Sequence, residues 1–243
     1  MNSGAEPQAQ GSAAGLAYER SYSEAAAPAA VPLIRTVDLG FGYSKNTPLI
    51  SGFNTAFYGG TITAITGASG RGKSTLMYLL GLMLKPTAGK LFVYGSDTAL
   101  LKDHELSQLR ATQYGFVFQD AALDSTRTVL DNVTEAALYR GESRDKLKER
   151  ALNLLKHFGV EIPPNRKPGQ VSGGQAQRIA LCRALLGNPK IILADEPTGN
   201  LDPESTAAVV AGLKQQAQKG SAVIIVTHSP EVAAACDREI KLQ

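Results

Sequence analysis

From Leu33 onward the chain alternates short apolar runs with stretches of helical periodicity, a texture that predicts an α/β domain. Thr61 to Thr66 reads as a buried strand that runs straight into a glycine-rich loop, and a helix is predicted from Lys73 to Leu84. Lys190 to Ala194 and Ala222 to Thr227 are two more apolar runs, each ending in polar residues. Strands buried on both faces of a parallel sheet have this composition, and such sheets offer their chemistry at the carboxyl ends of the strands. Between these runs, residues 103–171 turn helical: Leu147, Ala151, Leu154, Leu155 and Phe158 fall at amphipathic spacing, and Gly159 is a stop signal. A helical subdomain is therefore expected over about residues 103–171, set into a larger domain of residues 33–243.

The first 32 residues differ. They are rich in Ala, Gly, Ser, Gln and Pro, carry Glu6, Glu19 and Glu24, and lack the basic start and apolar block of a secretion signal. Low hydrophobicity without periodicity predicts a disordered tail.

Composition narrows the classes. At 243 residues and 43% hydrophobic content the chain can bury the core of one large domain. Its 25 Lys and Arg against 22 Asp and Glu leave a charge of only +3, too small and dispersed to argue for nucleic acid as a partner. Cys182 and Cys236 form no CxxC and have no histidine at metal-ligand spacing, which fits buried thiols in a reducing compartment. No apolar run approaches the ~20 residues of a membrane-spanning helix, so no part of the chain is expected to cross a bilayer.

The segment Gly67-Ala-Ser-Gly-Arg-Gly-Lys73-Ser74 matches GxxxxGK[ST] in full, between a predicted strand and a predicted helix. Glycines let backbone N–H groups turn toward phosphate oxygens, and the helix N-terminus adds positive potential. Lys73 then reaches the β- and γ-phosphates, Ser74 is placed for Mg²⁺, and Thr75 for the α-phosphate. The alternative is a glycine-rich turn with a solvated lysine, and strand, loop and helix together argue against it. A P-loop alone leaves kinase, GTPase, helicase and transport motor open.

Ile191-Ile-Leu-Ala-Asp195-Glu196 is an apolar strand ending in two acids. Asp195 is a candidate Mg²⁺ partner, and Glu196 a candidate general base for water. Ser172-Gly173-Gly174-Gln175 begins 23 residues before Asp195 and opens a helix predicted to run to Leu186, a second N-terminus suited to an anion. One nucleotide does not need two such elements from one chain.

That redundancy, with the P-loop and the paired acids, resembles the ABC ATPases, in which the SGGQ of one subunit closes over ATP held by the P-loop of another. The resemblance spans Leu33 to Leu242 and implies a P-loop NTPase fold. Its sheet is mixed, mainly parallel and flanked by helices, with an antiparallel β subdomain and an inserted helical subdomain. ATP and Mg²⁺ are the implied cofactors. The nucleotide site would comprise Tyr43, Gly67, Ala68, Ser69, Gly70, Arg71, Gly72, Lys73, Ser74, Thr75, Gln119 and His228, covered by Ser172, Gly173, Gly174 and Gln175 of a second copy. Ser74, Gln119 and Asp195 would serve the metal, while Lys73, Gln119, Ser172, Glu196 and His228 would serve catalysis. Gln119, in Phe116-Val-Phe-Gln, resembles the loop glutamine that contacts the helical subdomain; His228 resembles the switch histidine; Gly199-Asn-Leu-Asp202 resembles the loop spanning the dimer interface. Tyr43 resembles the ring that stacks on adenine, although Phe41 is near and either ring can be core.

Three segments, Ala194 to Asp202, Tyr114 to Gln119 and Thr128 to Val133, are similar to one bacterial subgroup, that of lipoprotein-release, macrolide-efflux and cell-division-type complexes. It implies a homodimer joined through its nucleotides, an integral-membrane permease-like partner, a peripheral position on the cytoplasmic face of the inner membrane, and no nucleic acid. The rival class is a soluble ABC protein of translation or DNA maintenance. Its members carry paired cassettes, long coiled coils or zinc modules, features the sequence lacks. The signature differs slightly from the family pattern in Val171 and in Ser229 after the histidine.

Overall fold

A computed structural model describes residues 31–44, 47–199 and 201–243; the tail expected over the first 32 residues lies almost wholly outside them. Nine strands and seven α-helices alternate among the described residues. Strands β1 (Ile34–Phe41), β2 (Ile50–Phe57), β4 (Ala88–Val93) and β5 (Ser96–Asp97) form an antiparallel sheet in the order β2-β1-β4-β5. Strands β3 (Ile62–Gly67), β6 (Tyr114–Val117), β7 (Ile191–Asp195), β8 (Ala222–Val226) and β9 (Arg238–Leu242) form the second sheet, in the order β6-β7-β8-β3-β9. Every pairing in it is parallel. Where a mixed, mainly parallel sheet is expected, the main sheet is wholly parallel among the described residues, and antiparallel pairing is confined to the expected β subdomain.

The apolar runs are continuous because β7 and β8 are buried on both faces. Ile191 and Leu193 face a core shared with the antiparallel sheet and helix α1 (Lys73–Leu80), whereas Ile192 and Ala194 face a second core. Ala222, Ile224 and Val226 separate from Val223 and Ile225 in the same way. Lining the second core are α3 (Val129–Tyr139), α4 (Arg144–His157), α5 (Gly173–Leu185) and α6 (Pro203–Gln218), with α3, α4 and α5 packed on one another. Gly159 takes φ 64° just beyond α4, the left-handed stop its sequence predicts.

Two boundaries differ from the sequence reading. Helix α1 ends at Leu80, four residues early, because Gly81 caps it and Leu82 turns to φ 61°. Residues 103–171 are not helical throughout: after α2 (Asp103–Gln113), β6 enters the parallel sheet as the edge partner of β7. Four residues, Tyr-Gly-Phe-Val, carry too little pattern to reveal a strand on their own. Among the described residues no helix is long and apolar enough to cross a membrane.

Candidate nucleotide site

The register of the parallel sheet brings the candidate residues together. Gly67 ends β3, Asp195 ends β7 opposite Val226 of β8, and the turns after these strands open on one edge. A cavity of about 520 Å³ lies there, lined by Gly67, Ser69, Gly70, Gly72, Lys73, Ser74, Thr75, Gln119, Asp195, Glu196 and His228, with Leu49 and Val226 as apolar walls. The last two escape sequence reasoning, since nothing in their types marks them.

Gly72 precedes α1 with φ 78°, a left-handed conformation that costs glycine little. No side chain caps this helix start, so its first N–H groups remain for an anion. The Lys73 ammonium donates to the carbonyls of Gly67 at 2.8 Å and Ala68 at 3.0 Å, which folds it back over the loop. Ala68 and Arg71 belong to the loop but do not line the cavity. Phe41 is buried, 8% exposed, whereas Tyr43 is 73% exposed and meets it edge-on at 5.0 Å. The Tyr43 hydroxyl stands 3.4 Å from the Thr75 hydroxyl, so of the two rings only Tyr43 offers a free face beside the loop.

Burial raises the pKa of Asp195, and the neighbouring Glu196 charge adds to the rise; a Ser74 hydrogen bond and Lys73 oppose it. Asp195, the Ser74 hydroxyl and the Gln119 amide therefore form a set of hard oxygen donors around one space. Mg²⁺ takes one or two carboxylates together with substrate phosphates, and these donors fit it.

Glu196 has φ 44°, rare for a residue with a side chain, and its N–H is held by Val226 O at 2.9 Å. Its carboxylate, only 11% exposed, has His228 Nδ1 at 2.8 Å from Oε1 and accepts from the Thr227 hydroxyl at 3.3 Å on Oε2. The sequence gives little notice of Thr227, which looks like the polar end of a strand.

Gln119 sits on the loop between β6 and α3, and α5 fastens that loop. Gln177 Nε2 donates to Phe118 O at 3.0 Å, and the two terminal nitrogens of Arg183 donate to Ala121 O and Ala122 O, both at 2.8 Å.

Ser172, Gly173, Gly174 and Gln175 do not line this cavity. They begin α5 as a capping box: Ser172 Oγ accepts from Gln175 N at 3.2 Å, and Gln175 Oε1 accepts from Ser172 N at 2.9 Å. Gly174 lies against Ser205 and Asp202 at the start of α6. Asp202 caps that helix through Ser205 N at 2.8 Å and Ser205 Oγ at 2.6 Å, bonds that hold its carboxyl below the usual aspartate range. A lowered folded-state pKa gives stability that is present above the unfolded value and lost as pH falls through the folded one. Asp202→Ala is accordingly expected to lower the melting temperature at neutral pH, with the gap to wild type closing in acid; thermal denaturation across pH checks this.

Set against known proteins, residues 50–199 match the ABC transporter family. The chain belongs to that family, as one of its ATP-binding domains. It is 46% identical over 186 residues to the macrolide export ATP-binding/permease protein MacB of Hahella chejuensis (strain KCTC 2396), a match covering 76% of this chain and 28% of that protein. With MacB of Escherichia coli (strain K12) it shares 42% identity over 215 residues, 87% of this chain and 33% of the relative. The chain thus spans about a third of the length of these curated relatives. A bacterial ABC transporter cassette solved as a dimer superposes with a TM-score of 0.80 at 36% identity, covering 86% of this chain and 94% of the cassette. A dimeric cassette in a post-hydrolysis state bound to ADP and Pi gives a TM-score of 0.79 at 34% identity over the same shares.

Proposed function

We propose that the chain hydrolyses ATP at a site completed by a second copy and uses the resulting closure to drive an integral-membrane permease-like partner. The observation that carries this reading is the separation of two helix starts: the P-loop lines one cavity with Asp195, Glu196 and His228, and the Ser172 turn does not line it. A second copy, turned to face the first, supplies what each cavity lacks.

In this reading Lys73 and the N–H groups of α1 hold the β- and γ-phosphates, and Tyr43 stacks on the base. Ser74, Gln119 and Asp195 hold Mg²⁺, which when bound neutralises phosphate charge. Glu196 orients the attacking water and accepts its proton; its carboxylate is held off solvent by two hydrogen-bonding neighbours. His228 turns Nδ1 toward Glu196, which leaves Nε2 for the γ-phosphate. The Ser172 turn of the twin covers the outer face of the triphosphate.

A groove of about 550 Å³ beside the Gln119 loop, with Phe116, Phe118 and the exposed Tyr139 on its walls, suits a helix of the membrane partner. Because α5 holds that loop and also carries Ser172, closure over ATP and movement of the groove are mechanically joined. Likeness to the macrolide export proteins supports a transport role of that subgroup.

Phosphate release by the purified chain tests the reading. Mg²⁺-dependent hydrolysis whose rate per chain rises with protein concentration is expected, since the site needs two copies. Absence of hydrolysis, or a rate per chain independent of dilution through the dimerisation range, would contradict it.

A further inference from the structure

We infer that Thr227 is a positioning residue for hydrolysis: its hydroxyl fixes the Glu196 carboxylate, an inference that rests on Glu196 acting on the attacking water. Glu196 sits on a left-handed backbone, φ 44°, at the turn after β7. Two neighbours hold it, and they are unequal. The His228 side chain is 73% exposed, while Thr227 is fully buried at the end of the central strand β8, its N–H bonded to Ile65 O at 3.1 Å. Ser229 N donates to Thr227 Oγ1 at 3.1 Å. With that lone pair engaged, the single hydroxyl proton goes to Glu196 Oε2 at 3.3 Å.

The consequence is a division of labour. The exposed His228, which also serves the phosphate through Nε2, can shift its hold on Oε1 as nucleotide enters, whereas the buried Thr227 cannot leave. Thr227 therefore keeps the carboxylate aimed through the step in which the histidine serves the phosphate.

The test compares Thr227→Val, which keeps the shape and removes the hydroxyl, with Thr227→Ser, which keeps the hydroxyl. Wild type and Glu196→Gln run beside them. Loss of one hydrogen bond to a charged group predicts a fall in kcat of roughly ten-fold or more for valine. The KM for ATP should stay within about two-fold and serine should return most of the rate. Adding Thr227→Val to Glu196→Gln should cost nothing further, because the group being aimed is gone. Should valine fail to fold, Thr227→Ala is read by the same split. The inference is overturned if the hydroxyl-free variant keeps the wild-type kcat, if serine is as slow as valine, or if KM and melting temperature move together with kcat. A wild type that does not hydrolyse ATP, or a Glu196→Gln variant as fast as wild type, would instead remove the reading on which the inference rests.

Discussion

Glu196→Gln is expected to reduce kcat by about 10²–10⁴-fold, the range that general-base catalysis contributes, while leaving ATP binding intact. The amide keeps the length and shape of the side chain and can tolerate the same φ of 44°. It no longer carries the negative charge that, in the proposed mechanism, draws the proton from water. Nothing in the proposed phosphate-holding set of Lys73, Ser74 and the α1 N-terminus is touched, so nucleotide should still enter. In the proposed cycle the closed pair reopens only after hydrolysis, so the variant should accumulate as an ATP-bound dimer. Steady-state phosphate release and size-exclusion chromatography with light scattering, with and without ATP, read both effects. Turnover near the wild-type rate would remove Glu196 from its role.

Lys73→Ala should act one step earlier. The ammonium donates to two loop carbonyls, Gly67 O and Ala68 O. In the proposed site it exchanges these for phosphate oxygens on binding, so the loss is the difference between two sets of hydrogen bonds. Charge-assisted bonds contribute about 1.5–3 kcal/mol net, which corresponds to ATP binding weaker by roughly 10- to 150-fold. Titration calorimetry with a non-hydrolysable ATP analogue measures it. The two substitutions are thus distinguished by their signatures: one binds and stalls, the other binds weakly. Equal affinity in Lys73→Ala would mean that the loop backbone alone holds the phosphates.

Local motifs were legible because each carries its own geometry. The glycine loop, the Ser172-Gly-Gly-Gln175 turn that opens α5 and the paired acids at the end of β7 are short, and each residue type has a mechanical reason for its place. Strands β7 and β8 announced themselves by unbroken apolar runs, which only burial on both faces permits. What escaped depends on contacts between distant segments. The Thr227 hydroxyl becomes a partner of Glu196 only because β7 and β8 pair in register, Asp195 opposite Val226. Gln177 and Arg183 looked like ordinary residues of a helix until the loop after β6 was laid across them. Strand β6 was lost inside a helical stretch for the same reason: its identity comes from its neighbour β7, and four residues alone do not disclose it.

A crystal structure of Glu196→Gln with ATP and Mg²⁺ bears most directly on the composite site. It should show two copies, each triphosphate lying between the Lys73 loop of one and the Ser172 turn of the other. A triphosphate wholly enclosed by residues of a single chain, with Ser172 on a face turned away from any nucleotide, would contradict the account.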